Sequence, residues 1–120
     1  MIASDEWLPP EVALLLKRAR IEADLARDLA RLGGIEESVE RASSLLEIIG
    51  VEIAEAASHP ALSAATARRL LRLRDTVDAH LLAASSLHEL AMADHASRLL
   101  TRAADAVRAS LDDRQDVAAG

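Results

Sequence analysis

Apolar residues recur every three or four positions along most of this chain, which is the period of helices that bury one face. The first stripe begins after Pro9 and Pro10, a pair that suits the first helical turn, where a missing N–H breaks no hydrogen bond. It stops at Gly33 and Gly34, because glycine readily forms the left-handed cap that ends a helix. The stripe that we expect to face the core consists of Leu14, Ile21, Leu25, Leu29 and Leu32.

A second stripe predicts another helix, which ends near Ser58, His59 and Pro60. Its apolar positions are Ile35, Val39, Ala42, Leu45, Leu46, Ile49, Ile53 and Ala56. Gly50 interrupts this helix. Because glycine inside a helix costs about 1 kcal/mol relative to alanine, we expect Gly50 to mark a close helix crossing or a slight bend.

The third helix is expected to take Ser58 as its N-cap and Pro60 into its first turn. Its apolar stripe consists of Leu70, Leu73, Val77, Leu81, Ala84, Leu87 and Ala91. The end of this helix is not marked by a breaker, since no glycine or proline lies between Pro60 and Gly120.

The hydrophobic pattern nevertheless predicts a boundary between the third and fourth helices. Continuing the third stripe would bury Asp94. A new stripe begins nearby, at Ala93, Ala96, Leu100, Ala103, Val107 and Leu111. Two N-terminal signals compete, the capping box of Ser86 with Glu89 and a cap by Asp94 before His95. We predict a turn or kink near residues 92–94.

Four long helices with short connections predict antiparallel neighbours, and hence an all-α, up-down four-helix bundle. We assign residues 9–112 to this single domain, after a polar leader over residues 1–8 that contains Trp7. The polar tail over residues 113–120 is expected to fray. At 120 residues the chain is long enough to bury one core.

Composition narrows the classes of function. Hydrophobic residues make up 51% of the chain, yet Trp7 is its one aromatic residue, so the helices are expected to approach closely through alanine. The net charge of −6 and the lack of stacking side chains argue against a nucleic-acid partner. The absence of cysteine excludes disulfides and fits a cytoplasmic setting. No apolar run is long enough for a membrane span.

Some apolar residues lie beside the expected core stripes and are candidates for an interface. With Trp7, whose residue type is enriched in binding hot spots, they are Leu15, Leu16, Leu71, Leu82 and Leu99. We expect these faces to support a homodimer or to form a groove for a partner helix. The alternative for Trp7 is a lid over one end of the bundle.

Apart from carboxylates, His59, His80, His88 and His95 are the candidates for a base, nucleophile or metal ligand near neutral pH. Their spacing does not match the Glu-x-x-His pairing that di-iron bundles use. We therefore expect no metal and no cofactor, with the histidines flanking turns or half-exposed.

One segment around His80 has a more specific pattern. Ala79, His80, Leu82, Ser85 and Ser86 resemble the motif of histidine-phosphotransfer domains, Ala-His-x-Leu-Lys-Gly-Ser-Ser/Ala. The resemblance implies that His80 is a phosphoryl acceptor. In that family the lysine helps to neutralise the phosphoryl group and the glycine lets a response regulator approach, but here Ala83 and Ala84 occupy those positions.

Two shorter resemblances involve the same region. His88-Glu89-Leu90 is similar to the His-Glu-Leu of sensor-kinase dimerisation helices, although Ala91-Met92-Ala93 replaces the Arg, Thr and Pro that normally follow. Arg74 and His80 are similar to the Arg-x4-6-His signature of helical nuclease domains in toxin systems.

The leading expectation is a non-enzymatic interaction protein, such as an adaptor, chaperone or regulator, that acts through apolar helix faces. A histidine-phosphotransfer-like signalling module with His80 as acceptor is the first alternative. An enzyme or ligand binder with a pocket inside the bundle is the second.

Overall fold

The computed structural model describes residues 8–32 and 36–111. They form four helices, α1 (Pro10–Ala30), α2 (Glu36–Ala57), α3 (Ala64–Glu89) and α4 (Ala93–Leu111). The predictions for Trp7 and for the tail over residues 113–120 lie outside the described part. None of the described helices is long and apolar enough to cross a membrane.

Contacts between helix ends show that neighbouring helices are antiparallel. Glu11 in the first turn of α1 lies 3.1 Å from His59, just beyond α2. Glu36 at the start of α2 lies 3.6 Å from His88 near the end of α3. α1 packs between α2 and α4, α3 packs against the same two helices, and α2 also contacts α4. The predicted all-α, antiparallel four-helix bundle is confirmed.

Leucine, isoleucine and valine fill the centre, and alanines line the core side of every helix. The largest fully buried side chains include Leu46, Ile49, Ile53, Leu70 and Leu100. Buried alanines accompany them, among them Ala23, Ala42, Ala84 and Ala103. Small side chains let helix backbones approach, which suits a chain that has few large residues to fill wide gaps.

The prediction for the buried face of α1 was wrong. The face that packs inward consists of Val12, Leu16, Ala19, Ala23, Ala26 and Ala30. The expected stripe faces outward instead, apart from Leu29, which is half-buried. The outward stripe is interrupted by Arg18 and Asp28, whose burial would cost more free energy than the exchange of leucine for alanine. The helix therefore buries its smaller but uncharged face.

The N-cap of α3 also differs from the prediction. Ser58 does not cap this helix, because its hydroxyl donates to the Glu55 carbonyl at 2.7 Å and so closes the last turn of α2. The cap is Ser63, whose hydroxyl oxygen accepts from the Thr66 N–H at 3.2 Å. Pro60 lies in the connection, ahead of the first helical residue.

The boundary between α3 and α4 lies at residues 90–92, two residues before the predicted turn. Ala91 has a φ of 60°, the left-handed conformation usual after a helix end. The Met92 N–H donates to the Leu87 carbonyl at 2.8 Å, and the Ala91 N–H donates to the His88 carbonyl at 3.0 Å. This is a Schellman motif with alanine in the position that glycine normally takes.

Candidate functional site

The outward stripe of α1 contributes four of the exposed large apolar side chains of this fold. Leu14, Ile21, Leu25 and Leu32 are each between 52% and 55% exposed. Their spacings of seven, four and seven residues place Leu14, Ile21 and Leu25 on one side of the helix, opposite its alanine face, and Leu32 in the turn that follows the helix. We call these four residues, with Arg18 and Asp28 between them, the outer face of α1.

The outer face carries charges of both signs. The Arg18 side chain is 62% exposed, and its Nε lies 3.9 Å from an oxygen of Glu52 on α2. Asp28 is exposed, as is Lys17 at the edge of the face. Apolar residues interspersed with a few charges are typical of surfaces that bind another helix.

A shallow groove extends the apolar surface from α1 onto α2. Leu25 and Leu29 form its α1 side, and Leu45 lies across from them on α2. Ile48, one turn beyond Leu45, is 48% exposed. Glu40, Arg41 and Ser44 complete the lining. The apolar surface is therefore wider than one helix and has a polar border.

A pair of carboxyl groups lies behind this surface, between α1 and α2. Glu52 is 9% exposed. Burial raises the pKa of Glu52 to about 7, helped by a hydrogen bond with the carboxyl of Glu22 and by repulsion from Glu22 and Glu55, while Arg18 opposes the shift. One oxygen of Glu22 and one of Glu52 are buried without a hydrogen-bond partner. The hydrogen bond needs a proton on one of the two carboxyls, which is why it favours the protonated form of Glu52.

The leucines expected at an interface have different surroundings. Leu16 is 7% exposed and belongs to the core, because it lies on the alanine face of α1. Leu15 and Leu99 are partly buried against the core. Leu71 and Leu82 are 36% and 73% exposed on α3. Trp7 lies outside the described residues.

His80 is half-buried on α3, and its ring has a defined orientation. Its Nδ1 lies 2.8 Å from the Thr76 carbonyl oxygen. Since a carbonyl oxygen can only accept, Nδ1 carries the proton and Nε2 keeps its lone pair in the neutral ring. Ala84, at the glycine position of the phosphotransfer motif, is buried in the core. That residue does not face an approaching protein.

The other histidines lie near helix ends. The Ala61 N–H donates to Nδ1 of His59 at 3.1 Å, so Nε2 of His59 donates to Glu11. His95 is exposed in the first turn of α4. His88 meets two glutamates across the bundle end.

Glu36, Glu40 and His88 are the described residues that could hold a metal ion, because one ligand atom from each lies within 4.8 Å of the others. Carboxylate oxygens and an imidazole nitrogen are suitable zinc ligands. Both glutamates are exposed, and Glu36 already pairs with His88 at 3.6 Å. The same geometry therefore serves a surface ion pair.

Sequence reasoning missed this group and the outer face of α1 for different reasons. The expectation of no metal rested on residue spacings along one helix, whereas Glu36 and Glu40 meet His88 only through the antiparallel packing of α2 and α3. The four-residue spacing of the two glutamates was a usable signal. For α1, the usable signal was the presence of the charged residues Arg18 and Asp28 within the stripe of larger side chains, which disfavours the burial of that stripe.

Comparison of the chain with protein-family models, with curated proteins and with solved structures finds no match. Functional inference therefore depends on the chain's own residues.

Proposed function

We propose that this chain is a non-enzymatic interaction protein, an adaptor, chaperone or regulator, that binds a protein helix through the outer face of α1. The observation that carries the proposal is the half-exposure of Leu14, Ile21, Leu25 and Leu32 on one side of a helix whose other side is fully packed. Contiguous apolar surface costs free energy in water, and covering it with a partner recovers that free energy.

The groove beside α2 supports the same proposal. It adds Leu29 and Leu45 to the apolar area, with Glu40 and Arg41 at its border. An apolar centre with a polar border is the arrangement of helix-binding grooves. A cytoplasmic setting is part of the proposal and is supported by the cysteine-free composition.

The test compares proteins captured from a cell extract by the wild-type chain with those captured by Leu25→Asp. Leu82→Asp is the matched control, because Leu82 is also an exposed leucine but lies on α3. We expect quantitative mass spectrometry to show partners that Leu25→Asp loses and Leu82→Asp keeps. Identical capture by all three proteins, from an extract that also contains an untagged copy of this chain, would contradict the proposal. Selective loss with Leu82→Asp would move the binding surface to α3.

A second candidate function, histidine phosphotransfer, is favoured by the geometry of His80. With Nδ1–H donating to the Thr76 carbonyl, Nε2 presents a lone pair that could attack phosphorus. In that step a P–Nε2 bond would form, the P–O bond of an aspartyl phosphate on a receiver domain would break, and the aspartate would leave as a carboxylate. The Ala83 and Ala84 substitutions in the motif rank this candidate below the first.

Phosphotransfer is tested by incubation with a phosphorylated receiver domain or with acetyl phosphate, followed by detection of acid-labile phosphate. Label on the wild type that His80→Gln lacks would establish the activity. An unlabelled wild-type protein would remove this candidate without affecting the proposal for α1.

A further inference from the structure

The outer face of α1 has the spacing of a coiled-coil seam. Its residues are Leu14, Arg18, Ile21, Leu25, Asp28 and Leu32, separated alternately by four and three positions. This is the spacing of the a and d positions of the heptad repeat. The core side of α1 uses a second heptad stripe, which the other helices of the bundle already cover. Apart from the long contact of Arg18 with Glu52, no helix covers the outer seam among the described residues.

The seam is also symmetric along its length. Read from either end it has the order apolar, charged, apolar, apolar, charged, apolar. In an antiparallel pair of α1 helices centred beside residue 23, Leu14 lies opposite Leu32 of the second copy, which is in the turn directly after the last helical residue, Ala30. Ile21 lies opposite Leu25 in the same way. Every apolar position of the seam therefore meets an apolar position.

The charges of the seam select the antiparallel arrangement. In that register Arg18 of one copy lies opposite Asp28 of the other, and the twofold axis repeats the pair. In a parallel pair Arg18 would face Arg18 and Asp28 would face Asp28, which places like charges together at a and d positions. Complementary charges in one orientation and repulsion in the other specify a partner and its direction.

We propose that the partner of the outer face is a second copy of this chain, bound through α1 in antiparallel register with two Arg18–Asp28 ion pairs. The inference rests on the proposed function in that it takes the outer face to be a binding surface. The Arg18 side chain is mostly exposed, and its contact with Glu52 is long at 3.9 Å. It can therefore reorient toward a partner carboxylate at little cost.

Disulfide cross-linking tests the register directly, because the chain has no cysteine of its own. In the proposed dimer, position 14 of one copy meets position 32 of the other, while the two copies of position 14 lie about 27 Å apart along the helix. We expect a mixture of the Leu14→Cys and Leu32→Cys proteins to form a mixed disulfide under mild oxidation. Either protein alone should remain uncross-linked. Cross-linking of Leu14→Cys with itself would overturn the antiparallel register.

Charge reversal tests the ion pairs by sedimentation velocity over a range of concentrations. Arg18→Asp and Asp28→Arg should each weaken dimerisation by about tenfold or more, and the double reversal should restore it. Arg98→Asp, which changes an exposed arginine on α4, is the matched control and should have no effect. In a parallel dimer each single reversal would replace one like-charge pair with another. Single reversals that leave dimerisation unchanged would therefore contradict the antiparallel arrangement.

Failure of this inference is distinguishable from failure of the proposed function. A wild-type chain that sediments at its monomer mass of 12.8 kDa at high micromolar concentration, with no cross-link in any mixture, would overturn the dimer. Loss of a captured partner with Leu25→Asp would then still support the outer face as a binding surface for a different protein.

Discussion

At the residue scale, Glu52 shows how packing changes the chemistry of one side chain. Its carboxyl is removed from water and lies beside the carboxyl of Glu22, and the two effects raise its pKa to about 7. The composition of α2 shows only that Glu52 is one of many acidic residues. Its burial follows from its position beside α1, so it could be predicted only after the buried face of α1 was known.

Glu52→Gln should stabilise the protein at pH 8 and leave its stability almost unchanged near pH 4. The pKa of Glu52 is higher in the folded state than in the unfolded chain, so the unfolded chain loses this proton first as pH rises above about 4.5. The wild type therefore loses stability as pH rises from about 4.5 to about 7. The neutral amide removes this loss, which is on the order of 2–3 kcal/mol.

Urea unfolding at both pH values, followed by far-UV circular dichroism, measures this difference. Glu47→Gln, an exposed glutamate on the same helix that does not act on the pKa of Glu52, is the control and should change stability by less than about 0.5 kcal/mol. A Glu52→Gln protein that is no more stable than the wild type at pH 8 would show that the carboxyl is well solvated.

At the element scale, the turn between α3 and α4 places alanine where glycine is favoured. Ala91 adopts a φ of 60°, which costs a residue with a Cβ about 1–2 kcal/mol. Ala91→Gly should therefore raise the free energy of unfolding by about 1 kcal/mol, which thermal unfolding can measure. Ala93→Gly, inside the first turn of α4, should lower it instead. An unchanged or lowered melting temperature for Ala91→Gly would contradict the left-handed turn.

Gly50 presents the opposite case in the middle of α2. A Cβ at this position would lie 3.4 Å from an oxygen of Asp78 on α3, which is an ordinary van der Waals distance. The space beside Gly50 therefore accepts a methyl group, so a close crossing does not require glycine here. Gly50→Ala should stabilise the protein by about 0.5–1 kcal/mol through helix propensity. A loss of stability in the same thermal measurement would show that the crossing is tighter.

Helix positions were largely predictable from the sequence, but the buried face of α1 and the N-cap of α3 were not. The buried residues of α4 followed from periodicity because its apolar residues share one side, and those of α2 followed although Ile48 is left exposed. α1 has two apolar sides. A choice by side-chain size favoured the wrong one, since the cost of burying the charges within the larger stripe outweighs the size of its side chains. The α3 cap was missed because Ser58 and Ser63 are both suitable. The boundary between α3 and α4 was predicted, but two residues late, because alanine replaced glycine in the turn.

At the scale of the whole molecule, α1 has two apolar sides with different surroundings. Its alanine side lets α2 and α4 approach, and its leucine side is exposed. Composition and periodicity predicted an interaction protein with Leu16 on its surface. In the bundle Leu16 is buried instead. The charges of Arg18 and Asp28 within the leucine stripe disfavour its burial, and the alanine side fits against two neighbouring helices at once.

Urea unfolding of Ile21→Asp, followed by circular dichroism at a concentration low enough for the chain to be monomeric, tests most directly whether the leucine side of α1 faces outward. Ile21 is 53% exposed, so the variant should unfold within about 1 kcal/mol of the wild type. Ala23→Asp, which places a charge on the packed side, should lose at least about 3 kcal/mol. A comparable loss in Ile21→Asp would mean that Ile21 is a core residue and would contradict the account.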